Sequence, residues 1–163
     1  MSSDMVIGVG NRFGRDDGVG PAVIDRVRQL CPDTPAIEAA GEPARLVEVW
    51  DNADLVILVD AVRSGAPPGT CHRLVVESDE EAEALGGFGS TMSSHGAGVA
   101  EAWALGAALG RTPHRLVVLG VEGESFEPGY GLSPTVARAV VRTAGAVHQE
   151  IATEPDRHRD ASS

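Results

Sequence analysis

Short apolar runs alternate with amphipathic segments along most of this chain. The apolar runs predict strands, and the amphipathic segments, in which apolar residues recur every three or four positions, predict helices. The predicted strands are Met5–Gly10, Ala36–Ala40, Leu55–Val59, Cys71–Val76 and Arg115–Val121. The predicted helices are Val19–Leu30, Pro43–Asn52, Gly96–Leu109 and Pro134–Ile151.

This alternation predicts an α/β fold of three layers, with a twisted, mostly parallel five-stranded sheet between helices. The segment Cys71–Val76 departs from the pattern, because only the short, turn-rich stretch Ser64–Gly69 separates it from the end of the preceding strand. A parallel connection needs a longer crossover, so we predict that Cys71–Val76 is an antiparallel edge strand.

We predict one domain over residues 1–153, followed by a polar, disordered tail over residues 154–163. Between the edge strand and the third predicted helix, the acidic segment Glu77–Glu83 indicates solvated chain. The glycines of Gly86–Ser90 then indicate a mobile loop.

Composition narrows the classes of partner and chemistry. The formal net charge is −11 and the basic residues are scattered, so we expect neither nucleic acid nor an anionic membrane as partner. All 13 basic residues are arginine, which excludes lysine-based Schiff-base chemistry. No apolar run reaches membrane length and the chain begins without a signal pattern, so we expect a cytoplasmic protein.

Cys31 and Cys71 match no zinc or redox spacing and indicate ordinary thiols.

The loop between the first strand and the first helix carries two adjacent carboxylates, Asp16 and Asp17. Its glycines Gly8 and Gly10 fit the first two positions of a dinucleotide fingerprint, but Phe13 stands where the third glycine belongs. No phosphate-loop lysine follows either. The pair could simply cap the helix. Inside a glycine-rich loop we instead expect the loop to face a cation or a proton through Asp17, while Asp16 keeps a loop or helix-cap role. The glycines would bring the loop close to a bulky protein substrate.

Two further residues belong to the same predicted edge of the sheet, where open α/β folds build their sites. Asp60 follows a buried apolar run, and a carboxylate there is costly unless it is paired or bound. His95 stands just before the third predicted helix. With Asp17 they form a set of two carboxylates and one imidazole, which suits either a borderline divalent metal or direct acid–base chemistry.

Other titratable residues are secondary candidates. Glu42 and Glu122 end strands and could join the rim of the site. The remaining histidines have no acidic partner at useful spacing, so we interpret them as structural or solvated: His72, His114, His148 and His158.

Four motifs in order resemble the hydrogenase maturation endopeptidases, the family represented by HybD and HycI, over about Met5 to Ile151. The family's opening Gly-x-Gly-Asn with an acidic pair and glycine matches Gly8–Asn11 and Asp16–Gly18. Its strand-end aspartate and its histidine match Asp60 and His95. Its late signature matches Gly120-Val121-Glu122 and Leu132-Ser133-Pro134-Thr135-Val136.

The resemblance implies an endopeptidase that removes the C-terminal extension of a [NiFe] hydrogenase large-subunit precursor after nickel insertion. It assigns the catalytic and metal-contacting roles to Asp17, Asp60 and His95. The nickel would be carried by the substrate, and no organic cofactor is implied. Where the family often has Gly-Gly or Gly-Thr-x-Gly, this chain has Ala40-Gly41-Glu42-Pro43.

Two other functions fit the same residues. The protein could escort or sense nickel sites without cutting, as a chaperone of the same fold. It could also hydrolyse small amides or nucleosides, since a fold alone fixes no function.

Overall fold

The computed structural model describes the backbone of residues 3–89 and 97–162, and the side chains of residues 3–87 and 98–153. Within these residues one sheet is built from β1 (Asp4–Val9), β2 (Ala36–Ala39), β3 (Leu55–Val62), β4 (Cys71–Val76) and β5 (Arg115–Glu122). The helices are α1 (Val19–Leu30), α2 (Pro43–Trp50), α3 (Glu83–Gly89), α4 (Ala97–Leu109) and α5 (Pro134–Ser162). A single 3-10 turn, Arg15–Gly18, precedes α1.

The strand order is β2-β1-β3-β5-β4. The pairs of β1 with β2, β1 with β3, and β3 with β5 are parallel, whereas β4 runs antiparallel to β5 at one edge. The predicted sheet, including its antiparallel edge strand, is therefore confirmed. The four parallel strands end on one side of the sheet, which we call the carboxyl edge.

Helices cover both faces of the sheet, as an α/β fold of three layers requires. On one face α1 and α5 pack against β3 and β5, with Val23 and Val147 in the core. On the other face α2 and α4 bury Trp50 and Trp103. Every residue of β3 and β5 is buried, which explains why their sequences are mostly apolar; the polar exceptions are Asp60, Arg115 and Glu122. No helix in the described part of the chain is both long and apolar enough to span a bilayer.

The acidic segment Glu77–Glu83 after β4 is exposed to solvent as predicted, apart from the partly buried Ala82, but the glycine loop predicted to begin at Gly86 is wrong. Residues Glu83–Gly89 form α3, while Ser90 of the predicted loop lies outside the described residues. Leu85 explains the difference, because it is buried in the core beneath α2 and α4. Its burial outweighs the poor helix propensity of the neighbouring glycines.

The ends predicted for α5 and β3 are too early. The backbone of α5 continues through Ser162 instead of ending at Ile151, and it passes Pro155 on the way. Strand β3 continues to Val62, so Asp60 lies inside the strand and not behind it. The single domain over residues 1–153 and the disorder of residues 154–163 stay predictions.

The start of α1 lies directly on the backbone of the sheet, and Gly20 makes this possible. A Cβ atom at Gly20 would lie 2.4 Å from the carbonyl oxygen of Val9 and 2.7 Å from that of Val59. Both neighbours are backbone atoms of buried strands, so the helix itself would have to move.

We therefore predict that Gly20→Ala lowers the free energy of unfolding by about 3 kcal/mol through overpacking. The matched control is Gly145→Ala in α5, where an added Cβ meets nothing within 4 Å. There alanine should raise stability by roughly 0.5–1 kcal/mol, because it is the better helix former. Urea unfolding measures both, and equal effects at the two sites would contradict the packing of α1.

Candidate active site

Asp17 lies in the 3-10 turn between β1 and α1, and its side chain is 7 % exposed. Its Oδ2 accepts a hydrogen bond from the backbone N–H of Asn11 at 3.1 Å. The same turn contacts β3, the strand that carries Asp60. The loop therefore folds back over the carboxyl edge and fixes Asp17 beside the end of the central strand.

Asp60 is completely buried near the end of β3. Leu58 and Val62 pack on the α2–α4 face of the sheet, so strand alternation places Asp60 on that face. Its Oδ1 accepts a hydrogen bond from the backbone N–H of Ala61 at 2.8 Å. The sequence prediction of a carboxylate at this edge of the sheet is thus confirmed, although the strand extends beyond it.

Helix α4 begins on the same face of the sheet. A Cβ atom at Gly98 would lie 2.0 Å from the carbonyl oxygen of Gly41, so the first turn of α4 rests on the segment that follows β2. His95 precedes this helix in the chain but lies outside the described residues. Its place in the site stays a prediction, and no group of three metal-ligating side chains forms within residues 3–87 and 98–153.

Asp16 ties the loop after β1 to the segment between β5 and α5. Its Oδ2 accepts hydrogen bonds from the backbone N–H groups of Glu124 and Ser125 at 2.8 and 2.9 Å. The N–H and hydroxyl of Ser133 donate to Oδ1 and Oδ2, both at 2.7 Å. Sequence reasoning gave Asp16 only a local loop or helix-cap role and missed this connection, because its donors lie more than a hundred residues away.

These donors also set the ionisation of Asp16. Burial by itself raises the pKa of a carboxyl group, because it disfavours the charged form. Here the backbone N–H groups of Ser125, Ser133 and Glu124, together with the Ser133 hydroxyl, outweigh burial and lower the pKa of Asp16 below its ordinary value of 3.8. Asp16 is therefore a buried, permanently charged anchor at neutral pH.

Backbone hydrogen bonds also join the loop after β1 to the segment between β5 and α5. Gly14 and Gly129 form an isolated parallel bridge, with Arg15 N–H donating to Gly129 O at 3.0 Å and Gly129 N–H donating to Phe13 O at 2.8 Å. Arg15 has a φ of 55°, a left-handed conformation that is unfavourable for a residue with a side chain. Its guanidinium donates to the Tyr130 carbonyl, which helps to hold this conformation. The loop is thus rigidly held.

Arg12 fastens the outer side of the loop. Its guanidinium forms ion pairs with Asp25 of α1 and Glu38 of β2, each at 2.9 Å. These two carboxylates raise the pKa of Arg12 above its ordinary value. Because the group is partly exposed, its contribution is orientation of the loop more than stability.

The glycines of the loop serve internal packing. An added Cβ at Gly8 or Gly10 would come within 2.4 Å of atoms of this chain, the side chain of Ile24 and the carbonyl oxygen of Asp17 respectively. The expectation that the glycines bring the loop close to a bulky protein substrate stays a prediction.

Glu122 is the centre of a second polar cluster at the carboxyl edge. Its Oε1 accepts hydrogen bonds from the backbone N–H of Ser64 at 2.9 Å and from the Ser64 hydroxyl, and lies 3.1 Å from His72 Nε2. His72 was expected to lack an acidic partner, and that expectation is wrong. The antiparallel register, which sets His72 opposite Gly120, brings the two side chains together. These contacts offset the free-energy cost of burying the carboxyl group of Glu122, a residue that is only 2 % exposed.

A groove of about 560 Å³ opens beside Glu122, between the segment after β3 and the segment after β5. The guanidinium of Arg63 lies 4.1 Å from the ring centre of Phe126 in its wall. Glu124 and Glu127 add exposed carboxylates to the lining. The groove can hold an extended segment of a partner chain.

The remaining candidates take no part in this geometry. Glu42 is exposed at the start of α2, where it makes no capping hydrogen bond. Burial raises the pKa of the Cys31 thiol. Desolvation also raises the pKa of the Cys71 thiol, against smaller opposing effects of Thr143 and Arg142. Neither thiol is activated as a nucleophile.

We predict that Asp16→Asn lowers the free energy of unfolding at pH 7 by about 3 kcal/mol, because it removes a charged acceptor from four donors. The folded-state pKa of Asp16 is lowered, so its contribution is present above pH 3.8 and is lost as the pH falls below that value. Chemical denaturation from pH 7 to pH 2.5 should therefore show a shallower acid loss in the variant.

Asp33→Asn serves as the control, since Asp33 is exposed at the opposite end of α1. It should unfold like the parent protein across the same pH range. An Asp16→Asn protein with the parent's stability and acid profile would show that the two segments do not depend on this carboxylate.

Comparison with known proteins identifies the family of the chain. A sequence model of the family described as hydrogenase maturation protease matches residues 27–150. The chain is 34 % identical to the hydrogenase 2 maturation protease of Escherichia coli, over 81 % of this chain and 80 % of that protein. It is 31 % identical to the hydrogenase expression/formation protein HupD of Thiocapsa roseopersicina, over 86 % of this chain but only 65 % of the length of that relative.

Solved structures agree with the sequence matches. An endopeptidase from Escherichia coli, solved in solution, superimposes with a TM-score of 0.77 at 30 % identity and covers 90 % of both chains. The family match and the architecture therefore agree with the resemblance inferred from the sequence. The chain belongs to the hydrogenase maturation protease family.

Proposed function

We propose that this protein is an endopeptidase that removes the C-terminal extension of a [NiFe] hydrogenase large-subunit precursor, after nickel has been inserted. The observation that carries the proposal is the pair of buried carboxylates, Asp17 and Asp60, on two contacting elements at the carboxyl edge of the sheet. Family membership supplies the class of reaction and of substrate. The proposal sets the reaction in the cytoplasm.

In this proposal, Asp17, Asp60 and His95 contact the nickel that the precursor carries. Two carboxylates and an imidazole suit a borderline divalent metal whose other positions are taken by substrate cysteines. The start of α4 on the face that bears Asp60 supports the inclusion of His95, which precedes that helix. Nickel then serves as the recognition mark, because a metal-free precursor lacks the atom that these three residues bind.

Peptide cleavage needs a polarised carbonyl group and an activated water. One route uses the substrate's nickel as a Lewis acid or as the ion that activates the water. In the other route one aspartate accepts the proton of the water while nickel only positions the substrate. Both routes place the scissile bond beside Asp17 and Asp60.

The groove beside Glu122 supports a polypeptide substrate. It is open to solvent and lies at the same edge of the sheet as Asp60, within reach of an extended C-terminal segment. Its exposed carboxylates Glu124 and Glu127 complement a basic segment, and the net charge of −11 would steer such a partner toward the protein.

Two alternatives make different predictions with the same precursor. A chaperone that reads nickel sites without cutting would form a stable complex and leave the precursor at full mass. A small-molecule hydrolase would ignore the precursor and cleave small amides or nucleosides in an enclosed pocket.

We predict that the parent protein shortens a nickel-loaded precursor at its C-terminus and leaves the metal-free precursor intact. The double variant Asp17→Ala/His95→Ala should lose at least about 100-fold in rate, because the reacting bond is no longer positioned. Intact-mass spectrometry over time measures the loss of the extension.

Asp33→Ala/His148→Ala is the matched control, since it removes an exposed aspartate and an exposed histidine elsewhere. It should process the precursor at the parent rate. Full processing by the Asp17→Ala/His95→Ala protein would refute the ligand assignment.

A further inference from the structure

Two exposed aromatic side chains meet beside the candidate active site. Phe13 is 69 % exposed and Tyr130 is 66 % exposed, although both are large and largely apolar. Their ring centres lie 5.5 Å apart in an edge-to-face arrangement. We call Phe13 and Tyr130 the aromatic pair.

The exposure of this pair is unusual within the chain. Three Phe, two Trp and one Tyr make up its aromatic residues. Trp50 and Trp103 are buried, and Phe126 is half-buried beneath Arg63. Phe88 lies outside the described side chains. Two contacting aromatic rings held in solvent do not stabilise a core, whereas such residues commonly anchor protein interfaces.

The pair is held in place by the connection that fixes the active-site loop. Phe13 stands four residues before Asp17 in the loop after β1, and Tyr130 follows β5. The bridge between Gly14 and Gly129 joins the two backbones next to the rings. A rigid anchor loses little conformational entropy when it binds, so the pair is preorganised for a partner.

A small cavity adjoins the pair and completes the surface. It has a volume of about 180 Å³, and its lining combines Tyr130, Leu132, Ala22 and two glycines with Arg12 and Arg15. This volume takes one apolar side chain. An aromatic anchor next to a pocket is the arrangement found at the energetic centre of protein interfaces.

We infer that the aromatic pair and this cavity dock the folded body of the precursor protein, by receiving an apolar side chain from its surface. The inference rests on the proposed function and adds a contact that is independent of nickel. The continuity of the pair with the Asp17 loop favours the precursor over a second copy of this chain. Docking here would bring the nickel site of a bulky protein to the carboxyl edge while its C-terminal segment extends toward the groove.

The test measures binding of nickel-loaded and nickel-free precursor to the double variant Phe13→Ala/Tyr130→Ala, by calorimetry or interferometry. Loss of an aromatic anchor should raise Kd for both precursor forms by about tenfold or more. At saturating nickel-loaded precursor, the single-turnover cleavage rate should match that of the parent protein. Removal of Asp17 should instead weaken binding of the nickel-loaded form alone.

Leu109→Ala/Val141→Ala is the matched control, because it truncates two exposed apolar side chains on α4 and α5. It should leave Kd unchanged, and Tyr130→Phe should retain parent affinity because the ring remains. The single variants Phe13→Ser and Tyr130→Ser keep the test usable if the double variant fails to fold.

If Phe13→Ala/Tyr130→Ala binds the precursor with the Kd of the parent protein, and the parent protein processes the precursor, the docking inference is wrong. The proposed function then still stands. A parent protein that dimerises through the pair in solution would also overturn the docking inference. If the parent protein neither binds nor cuts the precursor, the proposed function and this inference fail together.

Discussion

The carboxylate of Asp16 is the contact on which the rest of the site depends. It accepts four hydrogen bonds from the segment between β5 and α5, and it is fully buried. Charged hydrogen bonds of this kind are stronger than neutral ones, and their loss would leave buried N–H groups without an acceptor. Two segments distant in sequence thereby become one rigid unit, which holds Asp17, the bridge between Gly14 and Gly129, and the aromatic pair.

The two adjacent aspartates consequently have different tasks. Asp16 is saturated by donors of its own chain, which makes it a structural anchor. Asp17, one residue later, accepts a hydrogen bond from the backbone N–H of Asn11 within the loop, and its turn contacts β3, the strand that carries Asp60. Both residues lie in the 3-10 turn, but their carboxylates accept from different donors, Asp16 from the β5–α5 segment and Asp17 from Asn11. The candidate active site thus depends on a residue that the proposed chemistry does not use.

The short connection before β4 was enough to predict the antiparallel edge strand. Periodicity was sufficient to predict the sheet and the helices on both of its faces, because each buried strand and amphipathic helix carries its own local signal. It also placed Asp17 and Asp60 at one edge, since parallel strands end together. It could not reveal α3, which depends on burial of Leu85, nor the contact of His72 with Glu122, which depends on register. The anchoring role of Asp16 depends on donors from a distant segment, which no local pattern encodes.

The most direct test of the central claim is the coordination of nickel in the complex with the precursor. X-ray absorption at the nickel edge should show added oxygen and nitrogen neighbours when the nickel-loaded precursor binds the parent protein at low temperature, before cleavage. The variant Asp17→Ala should show fewer of these neighbours. A spectrum of the bound precursor identical to that of the free precursor would contradict the account.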